Sequence, residues 1–186
     1  LKNYRNLNSI DILINNSGGP DSGLAHTAEL DEYTNAFNQH LLAAQAVSQT
    51  VLPIMKRKQF GRVINIISTS VKQPIEGLGV SNTIRGAVAN WGKTMASELG
   101  QFGITVNNIL PGATKTERLN SLITKKASKN HCSEDDIIEQ MKQSIPVGRF
   151  AKPEELGYLA TFLCSDYASY ITGINIPIDG GRTKSL

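Results

Sequence analysis

Apolar positions along the chain fall into two alternating patterns. Four short runs, Ile10 to Asn15, Arg62 to Ser68, Ile104 to Leu110 and Ile174 to Ile178, are rich in Ile and Val and show no regular polar alternation. Runs of that kind predict strands covered on both faces, as in parallel sheets. Between them, apolar residues recur every three or four positions, which predicts helices with one buried stripe. Asp31 to Lys58 carries Phe37, Leu41, Ala44, Val47, Val51 and Ile54 on such a stripe, and Pro53 is expected to kink or end its regular part. Ile84 to Leu99 repeats the pattern with Ile84, Val88, Trp91, Met95 and Leu99. Pro153 to Cys164 begins with a first-turn proline and two acids against the positive end of the helix dipole, then presents Leu156, Leu159, Ala160 and Leu163. Strands alternating with helices predict right-handed βαβ crossovers and a doubly wound α/β parallel sheet.

The segment 114–145 breaks the alternation. It is polar and rich in Lys and Ser. It reads either as a substrate lid of one or two short helices over the carboxyl ends of the strands, where open α/β sheets bind ligands, or as a solvated helical insertion. No internal repeat interrupts the chain, so residues 1–186 are read as part of a single domain.

Composition narrows the function. A formal net charge of +3 with scattered Lys and Arg gives no basic face for nucleic acid. No apolar run approaches the roughly 18 residues of a membrane span. Leu1 to Asn8 are polar and lack the profile of a secretory leader. Cys132 and Cys164 stand far apart, and His26, His40 and His131 keep no ligand spacing, so the chain is expected to be cytoplasmic, with free thiols and no metal. The chain starts at Leu1 rather than Met and is expected to enter its fold partway. A processed product, a truncated chain and the ordered remainder of a longer protein all fit that start.

Five stretches, taken in order, resemble the short-chain dehydrogenase/reductase family. Asp11-Ile12-Leu13-Ile14-Asn15-Asn16-Ser17-Gly18 is similar to the strand ending in Asn-Asn-Ala-Gly. Gly61 to Ser68 resembles the strand that delivers the active-site serine, and Lys93 to Leu99 the end of the active-site helix. Val106 to Gly112 is similar to the Pro-Gly turn beside the nicotinamide. Pro146 to Glu155, Tyr170 to Gly173 and Asp179 to Gly181 resemble the C-terminal signature, in the form found in the 3-oxoacyl-carrier-protein reductase-like branch.

The resemblance implies a Rossmann-type sheet, NAD or NADP as cofactor, a small-molecule carbonyl or hydroxyl substrate, and a homo-dimer or homo-tetramer built on the long and active-site helices; Trp91, Val47 and Val51 offer apolar surface for that contact, with some of them expected to face the sheet instead. It places Asn15, Ser17, Gly18, Arg85, Pro111, Gly112, Thr114 and Thr116 at the cofactor, and Ser68, Ser81, Arg85 and His40 at the reacting centre. From the residues alone, Pro111-Gly112 is also compatible with an ordinary tight turn.

The chain departs from the family at three places. No Gly-x-x-x-Gly-x-Gly phosphate loop precedes Asn15, and Gly18-Gly19-Pro20-Asp21-Ser22-Gly23 aligns with the Asn-Asn-Ala-Gly loop instead. Where the family has Tyr-x-x-x-Lys, this chain reads Ser81-Asn82-Thr83-Ile84-Arg85, and the tyrosines Tyr4, Tyr33, Tyr158, Tyr167 and Tyr170 all fall on other elements. A phenol has a pKa near about 10 that a neighbouring cation tunes downward, whereas an aliphatic hydroxyl is a far weaker acid. His40 stands where the family places an asparagine, either as a hydrogen-bonded partner under the sheet or as a catalytic acid. The expectation is thus a divergent oxidoreductase with a degenerate site, or a non-catalytic pseudoenzyme that serves as a binding or assembly subunit.

Overall fold

A computed structural model describes residues 9–185 of the chain; the polar opening stretch, with Tyr4, lies outside them. Four parallel strands lie in the order in which they occur: β1 (Ile12–Asn15), β2 (Gly61–Ile66), β3 (Ile104–Pro111) and β4 (Asn175–Ile178). Each predicted run carries one strand, trimmed or extended by up to two residues at an end.

Helices cover both faces. On one, α2 (Ala43–Lys58) and α3 (Gly79–Leu99) bury Val51, Leu52, Met55, Met95, Ala96 and Leu99 against Val63, Ile104 and Val106. On the other, Leu163 of α6 (Pro153–Cys164) packs on Ile64 and Ile109. Adjacent residues of one strand therefore serve opposite cores, which is why the strands read as continuous apolar runs.

The structure corrects or sharpens three sequence expectations. Pro53 neither ends nor breaks its helix: α2 runs through it to Lys58. Its ring is exposed, so the carbonyl it deprives of a partner can turn to water. The regular helix breaks earlier, where α1 (Leu30–Phe37) passes through a π-helical turn, Asn38–Leu42, before α2. Second, α3 starts at Gly79, not at Ile84, because Val80, Ser81, Ile84, Arg85 and Val88 continue the buried stripe toward its N-terminus. Third, of the three residues offered for a subunit contact, Val51 is one that faces the sheet: it lies in the core, with Val47 and Trp91 partly buried against the same cluster.

The apolar runs also conceal a polar row. Asn15, Asn65, Asn108 and Asn175 are register partners across all four strands. Their amides bond head to tail: Asn15 Nδ2 donates to Asn65 Oδ1 at 2.9 Å, Asn65 Nδ2 to Asn108 Oδ1 at 2.8 Å, and Asn108 Nδ2 to Asn175 Oδ1 at 2.8 Å. A carboxamide both donates and accepts, so such a row satisfies buried polar groups that would otherwise be costly. Helix α3 passes close above it at Gly92, where a Cβ would lie 2.8 Å from Asn108 Oδ1 and 3.2 Å from Asn65 Nδ2.

The segment 114–145 forms α4 (Glu117–Asn130) and α5 (Glu134–Gln143). These helices close a small core of their own from Leu119, Ile123, Ala127, Ile137, Ile145 and Phe150.

Candidate active site

The site gathers at the carboxyl ends of β1, β2 and β3. Strand β1 delivers Asn15, and the loop after it carries Ser17, Gly18 and Gly19. Glycine-to-glycine bonds, Gly23 N to Gly77 O at 2.8 Å and Gly79 N to Gly23 O at 2.9 Å, tie this loop to the start of α3.

Arg85 projects from α3 one turn after Ser81, and both are buried. Its guanidinium donates from Nη1 to the Ile66 carbonyl at the end of β2, 3.0 Å away, and from Nη2 to the Ser17 carbonyl at 3.3 Å. Burial, and then the charge of Arg118, lower its pKa to about 10, which leaves it a cation at neutral pH. Its Nε is buried without a hydrogen-bond partner among the described residues.

His40 sits in the π-helical turn, 4% exposed. A π turn inserts an extra residue and rotates the side chains after it, which carries this histidine inward. Its Nδ1 lies 2.6 Å from Ser17 Oγ, while its Nε2 is buried with no hydrogen-bond partner among the described residues. Burial first, and the Arg85 charge second, lower its pKa to about 4. The imidazole is therefore neutral at pH 7.

Ser68 is only partly buried, and its Oγ accepts from Ser70 N at 3.1 Å, capping a short 3₁₀ turn at the end of β2. Tyr33 of α1 packs against the cluster of Ala36, Val80 and Ile84, and its hydroxyl donates to the Ala25 carbonyl at 3.3 Å.

The Pro111-Gly112 turn is held from the side. Gly112 N donates to Ile178 O at 2.8 Å, and a Cβ on Gly112 would lie 2.6 Å from that of Asp179. The glycine is thus required by the close approach of the segment after β4. Thr114 Oγ1 donates to Gly112 O at 3.3 Å, and Thr116 Oγ1 donates to Thr114 O at 3.2 Å while capping α4 through Leu119 N. The Asn15 amide nitrogen is committed to the asparagine row.

The structure thus brings Ser17, His40 and Arg85 together, with Ser81 on the same helix face as Arg85. It also shows a residue that sequence reasoning missed. Arg118, in the first turn of α4, donates from Nη2 to the Pro20 carbonyl and approaches Arg85 at Gly19. A cation at the positive end of a helix dipole is unfavourable, and that was the available signal. Among the described residues, no group of three His, Cys, Asp or Glu is placed to hold a metal ion.

Comparison with known proteins bears on this arrangement. The family described as enoyl-(acyl carrier protein) reductase matches residues 3–183. The NADPH-dependent reductase BacG of Bacillus subtilis is 33% identical over 95% of this chain, which spans 68% of BacG. The 3-oxoacyl-(acyl-carrier-protein) reductase FabG of Aquifex aeolicus is 31% identical over 96% of the chain and is 67% covered. Among solved structures, YwfH, an NADPH-dependent reductase involved in bacilysin biosynthesis, superposes on the whole chain with a TM-score of 0.92 and 32% identity, with 71% of its own length covered. The phosphate-loop pattern and the tyrosine–lysine pair are missing from this sequence, but fold, order of motifs and near-complete coverage agree. The chain belongs to the short-chain dehydrogenase/reductase family, in its 3-oxoacyl-(acyl-carrier-protein) reductase-like branch.

Proposed function

We propose that the chain is the C-terminal part of a divergent NAD(P)-dependent oxidoreductase that interconverts a carbonyl and a hydroxyl group on a small-molecule substrate. The observation that carries this reading is Arg85: a cation kept at the family's lysine position, 7% exposed, with Nε unsatisfied. A buried cation with unspent donors favours a hydroxyl-rich or anionic partner, and ribose hydroxyls fit. Asn15, Ser17, Gly18, Arg85, Pro111, Gly112, Thr114 and Thr116 would hold the nicotinamide end of the cofactor, which when bound supplies or accepts the hydride. Segment 114–145 serves as the substrate lid. The same reading makes the protein cytoplasmic.

In this scheme Ser68 orients the substrate carbonyl through its hydroxyl, and Arg85 stabilises negative charge developing on the substrate oxygen. Ser81 stands in for the phenol as the hydroxyl at the tyrosine position of the motif. His40, neutral at pH 7, moves a proton only as a conduit, taking one at one ring nitrogen while releasing another. It passes that proton through water toward Ser81.

A second reading, a non-catalytic binding or assembly subunit, is favoured by the low pKa of His40: the imidazolium needed as an acid is scarce at neutral pH. One experiment separates the two. The chain, joined to a glycine-rich nucleotide-binding segment, is assayed with dicarbonyl and 3-oxoacyl substrates and both cofactors. The oxidoreductase reading expects turnover that His40→Ala lowers by at least about 10²-fold, the lower range for a lost proton-transfer group. Turnover only in Ser81→Tyr with Arg85→Lys would establish the pseudoenzyme. In the same series the 186-residue chain alone is expected to bind NADPH weakly or not at all, for want of an amide-rich turn at the pyrophosphate; low-micromolar binding by calorimetry would overturn that.

A further inference from the structure

Two guanidiniums converge on the loop after β1. A Cβ placed on Gly19 would lie 3.9 Å from Arg85 Nη2 and 3.9 Å from Arg118 Nη2. The groups come from different elements, α3 and the first turn of α4, so the tertiary fold brings them together. Their hydrogen-bond partners are neutral: the Ile66 and Ser17 carbonyls for Arg85, and the Pro20 carbonyl for Arg118. Among the described residues, neither forms an ion pair with a carboxylate. Asp21, whose carboxyl feels Arg118, is exposed and bonded to Lys125 Nζ at 2.9 Å.

This arrangement is unfavourable by itself. Like charges repel, one of them is buried, and the other stands at the wrong end of a helix dipole. The Arg118 charge acts on Arg85 strongly enough to help depress its pKa. Arg85 Nε remains buried and unsatisfied. An anion between the two guanidiniums offsets the repulsion and the unfavourable dipole contact together, and guanidinium forks match the planar or tetrahedral oxygens of carboxylate and phosphate.

We propose that Arg85 and Arg118 form a subsite for an oxyanion, supplied either by the carboxylate of a keto-acid substrate or by a phosphate of the dinucleotide. The identity of the ligand rests on the oxidoreductase reading; the site itself does not.

The test is calorimetric titration of the protein at fixed ionic strength with acetoacetate, its uncharged counterpart ethyl acetoacetate, and inorganic pyrophosphate. At least one anion is expected to bind ten times or more tightly than ethyl acetoacetate, and Arg118→Gln to abolish that preference. Loss confined to acetoacetate assigns the subsite to substrate, and loss confined to pyrophosphate assigns it to the cofactor. The wild-type preference is measured without any substitution, so a poorly folded variant leaves the question decidable. Equal binding of charged and uncharged probes by the wild type, or an unchanged preference in a folded Arg118→Gln, overturns the proposal. Anion binding that depends on Arg118 without turnover on any substrate would sink the oxidoreductase reading and leave the subsite standing.

Discussion

At the scale of single residues, His40 shows how a side chain's surroundings override its ordinary chemistry. In water an imidazole titrates near about 6.5. Here burial and the Arg85 cation hold it at about 4. The folded state therefore binds fewer protons than the unfolded chain between these values, and stability falls as pH drops from 6.5 toward 4. One such group contributes at most about 1.4 kcal/mol per pH unit. We expect the urea midpoint of the wild type to fall over this window and His40→Asn to lose most of that dependence. Parallel profiles for the two proteins would show that other groups drive the acid sensitivity. The Ser17 contact adds a second expectation: Ser17→Ala removes the partner of a buried ring nitrogen and should cost about 1–3 kcal/mol by denaturant unfolding.

Among elements, the governing contact is α3 against the sheet. The helix buries a continuous stripe from Val80 to Leu99, and at Gly92 it comes too close to the asparagine row for any side chain. A methyl there must push against carboxamides that are themselves held on both sides. Gly92→Ala is therefore expected to destabilise by about 1–3 kcal/mol, the usual range for overpacking, despite alanine's better helix propensity. Asn108→Ala removes the obstacle but strands the Asn65 donor and the Asn175 acceptor. The two substitutions together should cost less than the sum of their separate costs, as expected for residues in contact. Additive thermal unfolding data would show that the row and the helix do not press on one another.

For the whole molecule, the exposed apolar surface bears on assembly. Residues Ile12 and Ile14 of β1 are 47% and 49% exposed, and Leu42 at the end of the π-helical turn is 46% exposed. Trp91 is turned partly inward, its indole nitrogen donating to Gln45 Oε1 at 2.9 Å. A contact between subunits through α2 and α3 would thus draw on Leu42 and the polar outer positions of α3 rather than on Val51. A homo-dimer or homo-tetramer is the expected state at micromolar concentration, and a monomer in sedimentation velocity would refute it. No helix among the described residues is long and apolar enough to cross a membrane.

The sequence by itself determined the alternation of strands and helices, because continuous apolar runs and three-to-four-residue stripes each satisfy one backbone periodicity. It also determined the family, through motifs whose order survives even where the reacting groups have changed. Pro53 misled, because the cost of a proline depends on whether the carbonyl it deprives can reach water, and that is a matter of which face the helix turns outward. The π-helical turn at His40 was hidden for a related reason: one extra residue in a helix is admitted by the packing around it, not by local propensity. The asparagine row needed the strand register, since Asn15, Asn65, Asn108 and Asn175 mean nothing together until β1 to β4 are aligned. Arg118 needed the tertiary fold most of all. Only when α4 folds back over the loop after β1 does Arg118 share one point with Arg85, because electrostatic pairing depends on distance in space and not on separation along the chain.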